Sequence, residues 1–371
     1  MKYSACWAKN SSVTAITECK RILIVRLSAL GDVSLTLPLL PLLKAKGYFV
    51  GWVIQQQNLE LIRNHPLVDQ IHPIPWKKWK TKECNWLQIW REYRQIIQQI
   101  RQYNYQIVID AQGLFKSWIF AVNSGAIYHI TDRQAREGAT LFATHLVDLH
   151  RDRKAKTLHL PHIFLNYLTP LNIRVDPHQP LIVSLPATPP DAQRKINQLL
   201  QNRSADQGPL VVIAPTTTWP TKHWRIDHWR KLIEQLPDNW QIIFTGDQAS
   251  LPTIQNIARP QDLVLAGKTS ITELIAIFRK SQLVISLDSG STHLAWATQQ
   301  PKILAIYCAT NRVIYSKSSQ QDHYRTLAGN NLPCQPCCRR TCNLTGRSHN
   351  ACTNYPSVTQ VLTAALELMD S

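Results

Sequence analysis

No apolar run in this chain of 371 residues approaches the roughly 20 residues that a membrane-spanning helix needs. The opening stretch also lacks an apolar signal core, because Lys2, Lys9, Asn10 and serines stand where one would lie. Residues 1–20 read as a ragged N-terminal extension, and a cytoplasmic protein is expected. Acidic residues are scarce: 24 Asp and Glu face 41 Lys and Arg, a formal net charge of +17. Partners should therefore be anionic, whether nucleic acid, phosphorylated sugars, nucleotides or an acidic membrane face. Neither a two-Cys, two-His zinc-finger spacing nor an aromatic RNA-binding motif is present, so no nucleic acid is expected. No short-period repeat points to a solenoid. Nine cysteines are many for a reducing compartment, but Cys334, Cys337, Cys338, Cys342 and Cys352 crowd into one segment. That pattern is a local cluster and not a disulfide framework. Cys334 and Cys337 fit a zinc-knuckle turn, the other pair does not, and a structural role without metal is the expectation.

What the chain does have is alternating strand and helix over two ordinary domain lengths. Its first half is organised around residues 21–33, RILIVRLSALGDV. Ile22 to Val25 is short and β-branched, as a parallel strand covered on both faces should be. Gly31 suggests a tight turn into a helix. Asp32 then stands at the strand mouth, where chemistry collects in open α/β sheets. A helix N-cap and a general base fit it equally. Further strands are expected at 49–54, 106–110 and 127–130, and leucines at 34–44 mark a helix that Pro38 and Pro41 bend. Trp86, Trp90, Tyr93, Ile97, Ile100 and Tyr103 fit one face of a long helix. A basic-aromatic loop, IPWKKWK, spans 74–80. Lys77, Lys78, Lys80, Lys116, Arg133 and Arg136 are candidate anion contacts, although for any one of them a solvated basic face is the stronger reading.

Prolines and polar residues over 173–190 mark a domain boundary. Strands are then expected at 210–214, 240–244, 263–266, 283–287 and 303–307, the last closing the sheet. Helices should run from Trp224 to Leu236 and from the Ser270–Glu273 capping box. The segment DSGSTH at 288–293 follows a buried strand and opens a helix, so its amides and hydroxyls form a phosphate cradle. Thr216, Thr217, Thr218 and Lys222 suit a diphosphate, with Lys222 offsetting charge on a leaving nucleotide. His223 fits packing better than catalysis. Asp247 fits a ribose contact or an ordinary turn.

Taken together, LSALGDV at 27–33, DAQGLFKS at 110–117, TTWPTKHW at 217–224 and DSGSTH at 288–293 resemble the bacterial lipopolysaccharide heptosyltransferases of glycosyltransferase family 9, nearest their type I branch. The cysteine-bearing tail is similar to that of family members. The resemblance implies an α/β fold of the GT-B kind, two Rossmann-like βαβ domains facing across a cleft. It assigns 21–180 to acceptor binding, 181–355 to the nucleotide-sugar with a Cys-rich segment at 334–352, and 356–371 to a C-terminal helix. It implies an inverting transfer, without metal or cofactor, from ADP-heptose to an anionic, lipid-linked inner-core sugar at the inner membrane face. Asp32 would be the base and Lys222 would face the donor phosphates. Thr217, Thr218, Asp247, Asp288, Ser289, Gly290 and His293 would line the donor site. Lys77, Lys78, Lys80, Lys116 and Arg136 would face the acceptor. The Gly246-Asp247-Gln248 turn and Ser291 depart from the family pattern. A same-fold transferase with another donor, or a non-catalytic polyanion binder, would share the charge and the fold.

Overall fold

In the computed structural model, short runs of β-branched and leucine residues form two parallel sheets, one per half of the chain. The structure describes residues 16, 18–81, 83–149, 159–176, 179–201, 208–312, 323–329 and 332–371; most of the expected N-terminal extension lies outside them. The first half contains β1 (Arg21–Val25), α1 (Leu30–Thr36), α2 (Leu39–Ala45), β2 (Phe49–Gln55), β3 (Gln70–Ile74), α3 (Trp86–Gln102), β4 (Ile107–Asp110), α4 (Phe115–Asn123), β5 (Tyr128–Asp132), β6 (His145–Val147) and α5 (Leu160–Leu165). The second half follows with α6 (Pro190–Leu199), β7 (Leu210–Ala214), α7 (Ile226–Gln235), β8 (Gln241–Phe244), α8 (Leu251–Gln255), β9 (Leu263–Val264), α9 (Ile271–Lys280), β10 (Leu283–Leu287), α10 (Gly290–Thr298), β11 (Lys302–Tyr307), β12 (Tyr324–Ala328) and α11 (Val358–Asp370).

The strand orders are β3-β2-β1-β4-β5-β6 and β12-β11-β10-β7-β8-β9. Each is the doubly wound Rossmann order, whose direction reverses beside the first strand of its half. The loops after β1 and β4, and after β7 and β10, therefore leave the carboxyl edges at the two places where such sheets bind ligands. All four motifs sit there.

Several elements differ from the sequence expectation. The sheet ends on β12, not on 303–307, and β3 and β6 are additional edge strands. They carry too few alternating apolar residues to announce themselves. The expected helix over 34–44 begins earlier, at Leu30, and divides at Pro38. Gly31 is in that helix and has no left-handed φ. Its small size serves close packing instead: a Cβ there would lie 2.7 Å from His293 Cδ2 and 3.1 Å from Gly290 Cα. Helix α3 buries Ile97 and Ile100, but its first turns do not reach the core; Trp86 and Trp90 are 72% and 53% exposed. Its 17 residues span about 25 Å, beyond the roughly 15 Å of the strands it covers.

The halves share one apolar core that includes Val33 and Leu35 of α1, Ile163 of α5 and Leu294 and Ala295 of α10. Polar ties cross between them too. Glu60 Oε2 accepts the Ile271 and Thr272 N–H groups at 3.0 and 3.3 Å, which satisfies donors left open at the start of α9. Among the described residues, no helix is long and apolar enough to cross a membrane.

Candidate active site

Asp32 is the third residue of α1, so it is not the N-cap. Its Oδ2 reaches back to the Ala29 N–H at 3.2 Å, as an acid at that helix position does. The same oxygen lies 3.1 Å from Arg26 Nη2. Asp32 is thus anchored locally and yet presents its carboxylate, 42% exposed, to a cavity of about 430 Å³. The N-cap is Ala29, so the N-cap reading does not hold; Asp32 supports the helix start from its third position and leaves its carboxylate open.

The cavity wall shows how the loops combine. Arg26, Ser28 and Asp32 come from the β1 loop, Gln112 and Gly113 from the β4 loop, and Asp132 and Arg136 from the β5 loop. Leu160, Phe164 and Tyr167 give an apolar side, while Asn311 and Cys338 close it from the second half. The volume suits a ligand of sugar size or somewhat larger. Arg26 is buried against the Phe164 ring and donates to the Ala111 carbonyl. Lys116 Nζ donates to Ser28 Oγ at 2.7 Å. Burial, then the Lys80 and Arg26 charges, lower the Lys116 pKa from the ordinary lysine value. Asp110, behind the wall, accepts the Gln112 and Gly113 N–H groups at 3.1 and 3.0 Å. Burial pushes its carboxyl up to about 6.

In the second half, Lys222 Nζ lies 2.7 Å from Asp288 Oδ2 and 4.7 Å from the Trp219 ring centroid. Asp288 is 2% exposed. Its Oδ2 also accepts from Thr310 Oγ1 at 2.6 Å, and Oδ1 lies 3.6 Å from His293 Nε2. Burial alone would raise the Asp288 pKa, but the His293 hydrogen bond and the Lys222 charge outweigh it and hold it well below the usual carboxylate range. Asp288 therefore holds Lys222, His293 and the loop together; its carboxylate is not presented to a substrate hydroxyl. Ser289 caps α10 with extended backbone, and its buried Oγ has no partner among the described residues. Gly290 and His293 pack against Gly31, which sets the loop after β10 next to the helix carrying Asp32. Burial raises the Cys338 thiol, on the cavity wall, above its ordinary value.

The remaining candidates are placed as follows. Thr217 Oγ1 is 3.4 Å from the Asp288 carbonyl, and Thr218 is exposed beside it. His223 accepts no catalytic geometry; its Nε2 lies 2.7 Å from the Thr217 carbonyl and fixes the loop. Asp247 Oδ1 accepts the Ser250 N–H at 2.9 Å, a local cap. Lys77, Lys78 and Lys80 are absent from the cavity wall: Lys78 pairs with Glu92 at 2.5 Å, and Lys80 stands over the Trp76 ring. The cysteine segment buttresses the Lys222 loop, with Thr221 Oγ1 donating to the Arg339 and Arg340 carbonyls, and Trp224 Nε1 donates to the Pro356 carbonyl beyond it. Its described cysteines are free thiols. Among the described residues no three His, Cys, Asp or Glu side chains form a group that could hold a metal ion. Sequence reasoning missed Arg26, Asn311, Thr310 and Cys338. Arg26 had a signal, a charge directly after the apolar run Ile22–Val25; Thr310 and Asn311 follow β11, whose strand end deserved the same scrutiny as β7 and β10.

Comparisons with known proteins bear on this site. The sequence profile of Glycosyltransferase family 9 (heptosyltransferase) matches residues 93–347. Lipopolysaccharide heptosyltransferase 1 of Pseudomonas aeruginosa is 28% identical over 348 residues, covering 87% of each chain. The Escherichia coli K12 protein of that name is 28% identical over 308 residues, 76% of this chain and 86% of that one. Among solved structures, a family 9 glycosyltransferase from Veillonella parvula superposes with a TM-score of 0.77 at 20% identity, covering 95% and 98% of the two chains. The E. coli heptosyltransferase WaaC, solved with ADP-2-deoxy-2-fluoro heptose, gives 0.67 at 23%, covering 94% and 99%.

Proposed function

This chain belongs to glycosyltransferase family 9 and is a glycosyltransferase, and from that premise we propose that it moves a heptose from ADP-heptose onto an anionic, lipid-linked inner-core sugar of lipopolysaccharide. Support for the donor comes from the family and from the relatives' heptosyltransferase names. The single observation that carries the reading is the cavity itself: an open carboxylate, Asp32, faces it from one half, while the loop of Ser289 and Gly290, whose Asp288 holds Lys222, abuts the same helix from the other.

The chemistry follows from the placement. A sugar hydroxyl attacks well only as it loses its proton, and a positioned base contributes about 10²–10⁴-fold. Asp32 takes that proton, with Arg26 fixing the carboxylate's direction. The departing diphosphate needs donors. Lys222 spends one of its three N–H groups on Asp288 and keeps the others for phosphate oxygens. The start of α10 and the unpartnered Ser289 Oγ add donors of the same kind. Attack from the Asp32 side on a sugar held by its diphosphate from the Lys222 side is a single displacement, which inverts the anomeric carbon. Lys116 and Arg136 meet the acceptor's negative charge at the cavity, with Lys77, Lys78 and Lys80 farther out. Thr217 and Thr218 line the donor loop, and Asp247 is close enough in sequence to the β8 end to meet the nucleotide. We take 21–180 as the acceptor half and 181–355 as the donor half, in a protein of the cytoplasm working at the membrane's inner face.

The test is transfer itself. With ADP-heptose and a delipidated inner-core acceptor, mass spectrometry should show a heptose-extended product of inverted configuration. Asp32→Asn should lower turnover by about 10²-fold or more, while ADP-heptose still raises the melting temperature. Full activity in that variant ends the role of Asp32; stabilisation by a different nucleotide-sugar alone replaces the donor.

A further inference from the structure

The first turns of α3 project past the sheet, and what projects is apolar. Trp86, Leu87 and Trp90 are 72%, 54% and 53% exposed. A second exposed group, Phe115, Leu141 and Phe142, lies at the start of α4 and just beyond β5. These six are half of the twelve large hydrophobic side chains exposed among the described residues. Topology puts both groups on one rim. Helices α3 and α4 each begin at the carboxyl edge of the first sheet, pack on the same face of it, and touch through Tyr93 and Phe120 at 5.5 Å. Lys116, bonded to Ser28 of the cavity wall, follows Phe115 directly, and Arg136 of that wall lies three residues before the 139–142 turn. The rim therefore lies on the same sheet edge as the cavity.

The rim is also cationic. Lys77, Lys78, Lys80, Arg91, Arg94 and Arg133 are all exposed. Arg94 stacks on Trp90 at 4.6 Å and Lys80 on Trp76 at 6.0 Å. Of the neighbouring acids, Glu92 is taken by Lys78 and by Trp79 Nε1, and Glu137 by the Phe115 N–H; Glu83 stands exposed. We propose that this rim docks the protein on an anionic lipid bilayer, with the α3 tip entering the headgroup layer and the cavity mouth facing the membrane. Indole rings favour the bilayer–water boundary, and basic side chains reach outward to lipid phosphates while their stems cover apolar surface. Charge argues against a second copy as the occupant: each chain carries +17, and two such rims repel. The inference rests on the proposed lipid-linked acceptor for its purpose, but its test does not.

The full chain is sedimented with vesicles of phosphatidylglycerol and phosphatidylcholine, and with phosphatidylcholine alone, at about 0.15 M salt. Binding is expected to the first and to weaken as salt rises. Trp86→Ser with Leu87→Ser and Trp90→Ser should cut partitioning by about tenfold or more, with melting temperature and transfer to a delipidated acceptor unchanged. Arg91→Ser with Arg94→Ser should lower binding several-fold and flatten its salt dependence. The proposal is overturned if the wild-type chain stays in the supernatant, if it binds both vesicles alike, or if the triple variant binds as the wild type does. It is equally overturned if the triple variant only dissolves a concentration-dependent dimer. Normal docking with no nucleotide-sugar stabilisation would leave this surface standing and remove the functional reading.

Discussion

Asp110 and Asp288 are both buried aspartates at strand ends, and they resolve burial in opposite ways. Asp288 has a lysine at 2.7 Å and is held charged. Removing one partner of such a pair costs about 3–5 kcal/mol, because a buried charge is left uncompensated. Lys222→Ala should therefore lower both stability and transfer. Adding Asp288→Asn should restore much of the melting temperature while transfer stays low; recovery of transfer as well would reduce Lys222 to a structural prop. Asp110 has no cation in contact, and burial raises its pKa from 3.8 to about 6. A raised carboxyl favours folding fully below its unfolded value, and that contribution is lost as pH rises through about 6. Protonated, Asp110 can donate to Ser117 Oγ, whose own hydrogen then serves the Leu114 carbonyl at 2.8 Å. Between about pH 4 and pH 8 the wild type should lose roughly 3 kcal/mol relative to Asp110→Asn, measured by denaturant unfolding. Parallel pH profiles would refute this.

At the scale of elements, the decisive contact is α1 against α10. Alanine at position 31 would gain up to about 1 kcal/mol in helix propensity. Its Cβ would also meet His293 Cδ2 at 2.7 Å, and overpacking of that kind costs about 1–3 kcal/mol. The clash wins, because the ring is held at 8% exposure between Asp288 and α1. Gly31→Ala should separate Asp32 from the 288–293 loop and lower transfer about tenfold or more, since small misplacements of reacting groups are costly, with little change in ADP-heptose stabilisation. An unaltered rate would show that this close approach does not set the geometry. Helix α3 teaches a related point. Its apolar period was legible over the whole helix, but periodicity does not say where the sheet beneath it stops. Trp86 and Trp90 share the apolar face with Ile97 and Ile100 and yet are surface.

Over the whole molecule, the half-sites meet because two sheets of the same strand order face each other by their carboxyl edges. Glu60 pins α9 to the first half. Its removal should cost about 1 kcal/mol and loosen that arrangement. Glu60→Ala should enlarge the radius of gyration in solution scattering without donor and slow transfer several-fold. Identical scattering and rate would mean that the shared core alone fixes the two halves.

The strands β1, β4, β7 and β10 and the loops behind them were readable because a buried parallel strand must be a short apolar run, and the residues next to it must leave the sheet at its ligand-binding edge. Asp32, Lys222, Ser289 and Gly290 were legible for that reason. Edge strands β3, β6 and β12 were not, because half-solvated segments need no such run. Neither were the pairing of Asp288 with Lys222, the grip of Arg26 on Asp32, or the arrival of Asn311 and Cys338 at the cavity. Those depend on side chains from distant loops meeting at distances of a few ångströms. Local propensity sets each loop's position on its own sheet, but only the packing of one sheet's edge against the other decides which charges meet.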